Sequence, residues 1–167
     1  MEVIRHHHLP LLRNPIAIIA FGGWNDACDV ASTSADFIID AHSDADVFAE
    51  VEPDAFYDFQ QHRPSITIDD GVTKSLRWPT IRFTALLRPD DARDLVAVCG
   101  PEPNSHRKTI ARSIAGPQAD VGVEEALLAG AYVGAVDHRD AVQLSGVGSD
   151  AVSVVRSGLH STSYEGP

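Results

Sequence analysis

The chain has 167 residues, 44% of them hydrophobic, which suits one domain with a buried core and excludes a disordered chain. No apolar run approaches the ~18 residues of a membrane-spanning helix, and no long apolar signal segment opens the chain, so a cytoplasmic protein that contacts no membrane is predicted. The net charge is −11, with twelve acidic residues and one basic residue, Arg63, in residues 24–70, and this negative charge argues against nucleic-acid binding.

The first predicted elements are a strand, a glycine turn and a helix. Residues 15–21 form a continuous apolar run with β-branched members, which is typical of a strand buried on both faces in a parallel sheet. A Gly-Gly pair ends this run, and small and apolar residues then recur at helical spacing over residues 26–42, with Asn25 or Asp26 as the N-cap. A strand followed by a helix in this way indicates an α/β domain.

The middle of the chain alternates between predicted strands and connectors. The alternating pattern at residues 65–69 and the Asp70-Gly71 pair after it predict a small antiparallel hairpin or meander within residues 65–87, added to a mostly parallel sheet. Further strands are predicted at residues 46–51, 74–78, 81–87 and 95–99, and helical segments at residues 53–62, 105–114 and 149–157. Residues 1–13 are expected to be a flexible N-terminus.

The ends of the later elements are predicted from capping and breaking residues. Asn104 is expected to cap the helix at residues 105–114, and a Gly-Pro pair at residues 116–117 is expected to end it. Ser149 or Asp150 is the expected cap of the last helix. Residues 124–136 fit a helix or a strand, and two glycines favour a strand near residues 127–136.

Two strand-to-helix loops carry the polar residues that could perform chemistry. Carboxyl ends of parallel strands meet at one edge of a sheet, so the loop after residue 21 and the loop after residue 99 should lie together. An arginine at a helix start, here Arg107, can hold a carboxylate or a phosphate, although a surface salt bridge is the simpler explanation. The first loop lacks the spacing and the lysine of phosphate-binding loops, and Asp26 would oppose a phosphate, so a packed tight turn is the alternative.

The remaining candidate groups give weaker signals. Three histidines at residues 6–8 resemble a metal-binding tract but lie in the N-terminus that is expected to be flexible. Cys28 and Cys99 have no partner at C-x-x-C spacing, so neither a disulfide framework nor a zinc ribbon is expected, and no metal or cofactor is predicted. His138 and Arg139 could act as acid or base but have no partner at a diagnostic spacing.

Five short motifs, in order and spacing, resemble the actinobacterial branch of the PAC2 (proteasome assembly chaperone 2-like) family. They are FGGWNDA at residues 21–27, YDFQ at residues 57–60 with RP at residues 63–64, WPT at residues 78–80, GPEPN at residues 100–104 and SYEGP at residues 163–167. The chain departs from the family pattern at Ser105 and His106, where the family commonly has Arg-Trp, and at residues 137–140. Family sequences continue beyond the last motif, so residues 14–167 read as a single PAC2-like domain that is incomplete at its C-terminal end.

The resemblance implies a three-layer α/β/α fold similar to nucleoside phosphorylases, with a mostly parallel sheet. It also implies assembly into homo-oligomers, with a trimer as the first expectation, and a link to proteasome assembly. For the bacterial branch it implies no settled activity, although an ATP-grasp ligase label attaches to it. The chain has only two lysines, Lys74 and Lys108, to place over the phosphates of ATP, which argues against that label.

Two functions from different classes follow from these observations. The leading hypothesis is a non-enzymatic, self-assembling scaffold or proteasome-assembly-chaperone-like protein, in which the acidic segment 24–70 is either a solvated face or a surface for a protein partner. The alternative is a phosphorylase-like, hydrolase-like or ATP-grasp enzyme with a pocket at the carboxyl ends of the strands. No catalytic residue is assigned, and the candidate pocket residues are Gly22, Gly23, Trp24, Asn25, Asp26, Glu102, Asn104, Arg107, Tyr164 and Glu165. The large aromatics Trp24, Tyr57 and Trp78 are expected to brace turns against the core.

Overall fold

The computed structural model of the protein describes residues 3–161 and 163, which divide after Val133 into two units. The elements of the first unit are, in chain order, β1 (Ile4–His6), β2 (Ile16–Gly22), α1 (Val30–Asp40), β3 (Asp46–Val51), β4 (Ser65–Asp69), β5 (Val72–Arg77), β6 (Arg82–Leu86), β7 (Leu95–Pro101), α2 (Arg107–Ser113), α3 (Ala115–Asp120) and β8 (Glu125–Ala129). The second unit contains β9 (Ser145–Gly146), α4 (Ala151–Ser157) and β10 (His160–Ser161). Within the described residues, no helix has the length and apolar character to cross a bilayer.

A six-stranded mixed sheet organises the first unit, with the strand order β1-β3-β6-β7-β2-β8. The pairs β7-β2 and β2-β8 are parallel, and the pairs β1-β3, β3-β6 and β6-β7 are antiparallel. The predicted α/β fold with a central sheet and a small antiparallel hairpin is confirmed, and the hairpin forms a two-stranded sheet of its own rather than an addition to the central sheet. The strand predicted at residues 15–21 is β2, which lies between the two other parallel strands and is therefore the centre of the parallel half.

Helices cover both faces of this sheet, because alternate residues of its strands point to opposite sides. On one face, Val98 of β7 packs in a cluster with Ile110 of α2. On the other face, Ala20 of β2 packs against Ala31 and Ala35 of α1, and these small side chains let the helix approach the strand closely. The result is the three-layer arrangement that the resemblance implies, with the largest buried side chains on the α2 side.

The hairpin forms where the Asp-Gly pair predicts it. Asp70 and Gly71 have φ values of 48° and 75°, the two positive values that a type I′ turn between antiparallel strands requires. Strands β4 and β5 pair with each other as a separate two-stranded sheet. The hairpin occupies residues 65–77 of the predicted range 65–87, and β6 lies in the central sheet between β3 and β7.

The first strand lies in the N-terminus, where a flexible segment is expected. β1 pairs antiparallel with β3 at one edge of the sheet. One ion pair and one further polar contact accompany this pairing: Arg5 Nη1 lies 3.2 Å from the Glu50 carboxylate, and His8 Nε2 lies 2.7 Å from the Asp46 carboxylate. The sequence does not reveal the strand because its three residues acquire their partners from a segment about 45 residues away.

Several helix boundaries differ from the predicted ones for local backbone reasons. Cys28 and Asp29 both have φ of 56°, so the chain makes a short 3₁₀ turn at Ala27–Asp29 and α1 starts at Val30 rather than at residue 26. His106, with φ of 52°, precedes α2, so the predicted cap by Asn104 is wrong.

Three further boundaries also shift. The helical connector expected at residues 53–62 is reduced to one 3₁₀ turn, Pro53–Ala55. Pro117 lies inside α3 instead of ending a helix, because at the third position of that helix its missing N–H has no intrahelical acceptor to lose. The strand expected near residues 127–136 is β8, which begins two residues earlier and ends at Ala129.

In the second unit, β9 and β10 pair in parallel. The predicted cap of α4 by Ser149 or Asp150 is confirmed for Asp150, whose Oδ1 accepts the Ser153 backbone N–H at 2.8 Å.

Candidate functional site

The two strand-to-helix loops meet at the carboxyl ends of β2 and β7. Gly22, the last residue of β2, is in register with Pro101, the last residue of β7. The backbone N–H of Glu102 then donates to the Gly22 carbonyl at 2.7 Å, which extends the parallel pairing by one bond into the loops. The sequence predicts this juxtaposition, because both loops follow buried parallel strands.

The carboxylate of Glu102 is held between the two loops. Its Oε1 lies 3.1 Å from Nη1 of Arg107, and its Oε2 accepts the Trp24 backbone N–H at 3.4 Å. Gly23 has φ of 147°, and a Cβ at this position would lie 2.9 Å from the Cβ of Glu102. The second glycine of the turn is therefore required by the close approach of the Glu102 side chain.

Asp26 is buried, and the start of α1 uses its carboxylate. Oδ1 accepts the backbone N–H of Ala31 at 2.6 Å, and Oδ2 accepts that of Ser32 at 3.3 Å as well as the Ser32 hydroxyl. These N–H groups belong to the first turn of the helix and have no intrahelical acceptor. Asp26 thus caps α1 from four residues before its first residue, and its oxygens are not available to a substrate.

Asn25 joins the first loop to the chain segment after β8. Its carbonyl accepts the Ala131 N–H at 2.9 Å, and the Ala131 carbonyl accepts the Ala27 N–H at 3.0 Å. A Cβ at Gly130 would lie only 2.3 Å from Nδ2 of Asn25. The Asn25 side chain thus passes close to Gly130, an approach that the sequence does not indicate.

Asn104 forms hydrogen bonds with a different loop, the one that follows β3. Its Oδ1 accepts the Asp58 N–H at 2.9 Å, and its own N–H donates to the Phe56 carbonyl at 2.9 Å. Nearby, the buried Tyr57 hydroxyl donates to the Pro101 carbonyl at 2.8 Å, and burial raises the pKa of Tyr57. The YDFQ and GPEPN motifs are therefore bonded to each other, which sequence reasoning missed although both belong to one resemblance.

The three large aromatics have different surroundings. The structural role expected for Tyr57 is confirmed by its burial and its hydrogen bond. The expectation that Trp24 is buried is wrong: its side chain is 79% exposed, and its backbone N–H donates to Glu102. Trp78 is partly exposed and packs against Phe59 with ring centroids 4.7 Å apart. The Trp24 ring is thus presented to solvent rather than bracing the turn.

Two predicted pocket residues, Tyr164 and Glu165, lie outside the described residues. A cleft of about 440 Å³ in the first unit is lined by Arg5, Glu50, Glu52, Pro53, Asp54, Leu76, Arg77, Trp78, Thr80 and Arg82. A cleft of about 560 Å³ in the second unit is lined by Asp140, Ala141, Val142, Gln143, Leu144 and His160. Neither lining includes a residue of the predicted pocket.

The remaining candidate groups, the N-terminal histidines, Cys99 and Arg139, have local structural surroundings. His7 and His8 face acidic residues of β3, and within the described part of the chain no three His, Cys, Asp or Glu side chains are arranged to hold a metal ion. Burial raises the pKa of the Cys99 thiol to about 11. Arg139 forms an exposed ion pair with Asp137, with Nη2 2.7 Å from Oδ2, and its hydrogen bonds lower the pKa of that carboxyl.

The chemistry open to the strand-end site is limited by these bonds. Asp26 is buried and Asn104, although exposed, bonds to the backbone of the loop after β3, so Asn25, the Glu102–Arg107 ion pair and the exposed Trp24 ring are the other groups at the surface. Tryptophan and arginine are residue types enriched at protein-binding surfaces.

A family model described as the PAC2 family matches residues 20–167. Among solved structures, the chain is similar to a PAC2 family protein from Streptomyces avermitilis, with 36% identity and a TM-score of 0.83 over 92% of this chain and 65% of that one. It is also similar to a proteasome-assembly chaperone homologue from Mycobacterium tuberculosis, with 35% identity and a TM-score of 0.79 over 91% of this chain and 64% of that one.

This chain therefore spans somewhat less than two thirds of the length of these two relatives. A protein of unknown function from Corynebacterium glutamicum, 20% identical with a TM-score of 0.65 over 76% of this chain and 49% of that one, shares the fold. A comparison with curated proteins finds no match. Since the family match covers most of the chain and two relatives exceed 30% identity, the chain belongs to the PAC2 family.

Proposed function

We propose that this protein works without catalysis, as a self-assembling, chaperone-like protein in the assembly of proteasomes in the cytoplasm. Membership of the PAC2 family supports a chaperone-like role. The Mycobacterium tuberculosis relative, 35% identical over 91% of this chain, is a proteasome-assembly chaperone homologue. The proposal extends the role of that relative to this chain.

The observation that supports this proposal most is that the polar side chains at the strand ends are already bonded to other groups of the chain. An enzyme pocket needs acids, bases or donors that can reach a substrate. Here Asp26 bonds to the first turn of α1, Asn104 bonds to the loop after β3, and Glu102 bonds to Arg107. These bonds favour a binding protein over the alternative of a phosphorylase-like, hydrolase-like or ATP-grasp enzyme.

The outer side of α1 is the surface that we propose for a basic protein partner. Of the acidic segment 24–70, the part on β3 faces the basic side chains of β1, as the Arg5–Glu50 pair illustrates. Asp36 and Asp40 lie one helical turn apart on α1, both are exposed, and neither forms an ion pair within the described residues. Phe37, also exposed, adds an apolar group to this surface.

Capture by purified 20S proteasome particles tests the proposed partner. We expect the full chain to be retained at low salt and released as the ionic strength rises from about 0.01 M to about 0.15 M, because the Debye length falls from about 30 Å to about 8 Å. The double variant Asp36→Asn/Asp40→Asn should bind about two- to thirtyfold more weakly, since each exposed ion pair contributes roughly 0.2–1 kcal/mol.

A matched variant separates this surface from the effect of net charge. Asp90→Asn/Asp120→Asn removes the same two charges from exposed positions outside α1 and should bind like the unmodified chain. Equal losses in both double variants, or no retention at low salt, would contradict the proposed surface.

A ligand screen tests the absence of catalysis. Nucleosides, inorganic phosphate and ATP are expected to leave the melting temperature unchanged. A ligand present at about a hundredfold its Kd would add roughly 2.7 kcal/mol and raise the melting temperature by several degrees. Such a rise with any of these compounds would favour the enzyme instead.

A further inference from the structure

One cleft of the first unit is not used by the proposed function. It encloses about 440 Å³ and is lined by residues of β1, β3, β5 and β6 and of the segments that follow β3 and β5. Its volume lies within the roughly 300–1,000 Å³ of small-molecule sites. We call it the arginine cleft, because its lining includes Arg5, Arg77 and Arg82.

The lining of the arginine cleft carries equal numbers of positive and negative side chains. The three arginines are matched by three acidic residues, Glu50, Glu52 and Asp54. The whole chain, by contrast, has a net charge of −11. Because like charges repel in proportion to the product of their charges, the chain repels polyanions such as ATP, whereas a ligand without net charge approaches the cleft without this repulsion.

Only part of this charge is paired within the protein. Arg5 Nη1 lies 3.2 Å from the Glu50 carboxylate, and its Nη2 bonds to the second glutamate of the lining. Arg82 is in register with Glu50 across the β3-β6 pair. Within the described part of the chain, however, Arg77, Arg82 and Asp54 form no ion pair. The cleft therefore offers both cationic and anionic groups to a ligand.

An aromatic ring and an aliphatic side chain give the lining its apolar part. Trp78 is 44% exposed, and its ring packs against Phe59 with ring centroids 4.7 Å apart. Leu76, two residues earlier in the chain, also lines the cleft and is exposed. Such a surface packs against an aromatic group of a ligand, and the face of a tryptophan ring also attracts an ammonium group.

We propose that the arginine cleft binds a small zwitterion with an aromatic side chain, of the size of an amino acid. The carboxylate of this ligand bonds to Arg77 and Arg82, since a guanidinium group donates two parallel N–H bonds to a carboxylate. The ammonium group bonds to Asp54, and the aromatic side chain packs against Trp78. This inference goes beyond the proposed chaperone-like function, which neither requires nor excludes such a ligand.

A ligand with both charges fits this cleft better than a ligand with one. A carboxylate alone would leave Asp54 without a partner in the same cleft and would be repelled by the net charge of the chain. An amine alone would leave Arg77 and Arg82 without one. The zwitterion engages all three groups and keeps the charge of the lining balanced.

Titration of the full chain with L-phenylalanine, followed by NMR through the indole N–H resonances of the two tryptophans, tests the proposal. The Trp78 resonance should shift with a Kd on the order of 0.1–1 mM. The Trp24 resonance should stay in place, because that residue does not line the cleft. A Trp78 resonance that does not move up to about 10 mM, or equal shifts of both resonances, would overturn the proposal.

Three analogues of the probe each lack one of its groups. Hydrocinnamate lacks the ammonium group, phenethylamine lacks the carboxylate, and alanine lacks the ring. Each should bind at least about twofold more weakly than phenylalanine, because it loses one of the proposed contacts. An analogue that binds as tightly as phenylalanine would show that the cleft does not recognise the missing group, and the zwitterion would then be the wrong ligand class.

Matched variants test whether the ligand lies in the arginine cleft. Arg77→Gln and Asp54→Asn should each weaken phenylalanine binding about two- to fivefold, since each removes one charged contact. Arg63→Gln and Asp90→Asn remove the same charges from exposed positions outside the lining and should bind like the unmodified chain. Equal losses in both sets, or no loss in the first, would overturn the cleft as the binding site. The capture by 20S particles is tested by other variants, on α1, so the two proposals can fail separately.

Discussion

Two antiparallel strand pairs of similar sequence pattern have opposite surroundings in this protein. In the pair β6-β7, Phe83 and Val98 are in register and fully buried. In the pair β4-β5, Ile66 and Leu76 are in register and more than half exposed. The strand alternation determines which side chains share a face, but burial depends on whether other elements cover that face.

The covering elements explain the difference. The pair β6-β7 lies in the middle of the sheet, with β3 and β2 on either side and with helices on both faces. The hairpin has no further strand on either edge within the described residues. The apolar residues of the hairpin are therefore exposed, whereas those in β6 and β7 stabilise the fold.

The largest expected effect on stability comes from removing a buried side chain from the strand pair β6-β7. Phe83→Ala removes a fully buried ring whose centroid lies 6.2 Å from that of Phe48, and it should lower the free energy of unfolding by about 3–5 kcal/mol. Leu76→Ala in the hairpin should change it by less than about 0.5 kcal/mol at concentrations where the chain is monomeric. Urea titration at about 1 µM measures both, and equal losses would contradict the comparison.

The second effect concerns a buried charge beside the same sheet. Asp94, the residue before β7, is fully buried. Its carboxylate accepts a hydrogen bond from the Arg13 guanidinium at 2.9 Å and two more from the backbone N–H groups of Arg13 and Arg88. The hydrogen bond from the Arg13 side chain is the main cause that lowers the pKa of Asp94 to about 2. A lowered pKa in the folded state stabilises the fold above the unfolded-state value and loses this contribution on acidification.

The free energy of unfolding should therefore fall by roughly 2 kcal/mol as the pH decreases from about 4 to about 2, beyond the loss common to all carboxylates. Asp94→Asn should show a flatter pH dependence in this window. Its matched control is Asp91→Asn, because Asp91 is exposed and its ion pair is with Arg88 rather than with a buried group. Parallel pH profiles for the unmodified chain and Asp94→Asn would contradict the assignment.

The third effect tests the cap at the strand-end site. Asp26→Ala leaves the Ala31 and Ser32 N–H groups without an acceptor and should cost about 1–2 kcal/mol of unfolding free energy. Asp29→Asn should cost less than about 0.5 kcal/mol, because the Asp29 side chain makes no capping bond and asparagine tolerates its positive φ. Thermal unfolding distinguishes the two, and equal melting temperatures would show that Asp26 does not cap α1.

Elements encoded by neighbouring residues could be predicted from the sequence. The Asp70-Gly71 pair specifies its own turn, and the strand predicted at residues 46–51 is β3 with the same bounds. The meeting of the two strand-to-helix loops was also predictable, because it follows from two buried parallel strands and needs no side-chain detail. In each case the information lies within a few residues or in a general rule of sheet topology.

Features that depend on distant partners were not predictable. β1 forms by pairing with β3. The Asn104 side chain accepts a hydrogen bond from the Asp58 N–H, 46 residues away, instead of capping the helix that follows it. Trp24 was expected to pack because tryptophan is apolar, but the turn around it is held by Gly23 and Glu102, which leaves the ring nothing to brace. A hydrophobic side chain predicts burial only where another element is there to cover it.

The smallest expected effect on stability is therefore that of Trp24→Ala. The side chain is 79% exposed, and its backbone N–H, which donates to Glu102, remains after the substitution. The free energy of unfolding should change by less than about 0.5 kcal/mol. Tyr57→Phe, which removes a buried hydroxyl bonded to the Pro101 carbonyl, should cost more, about 1 kcal/mol.

This last pair of variants separates two roles of aromatic residues in one site. If Trp24 contacts a protein partner, Trp24→Ala should reduce capture by 20S particles while Tyr57→Phe leaves it unchanged, since exposed tryptophans contribute strongly to protein interfaces. The stability order and the binding order of the two variants would then be opposite. A loss of stability of 3 kcal/mol or so in Trp24→Ala would instead mean that the ring is covered in solution, as the burial of a large aromatic requires.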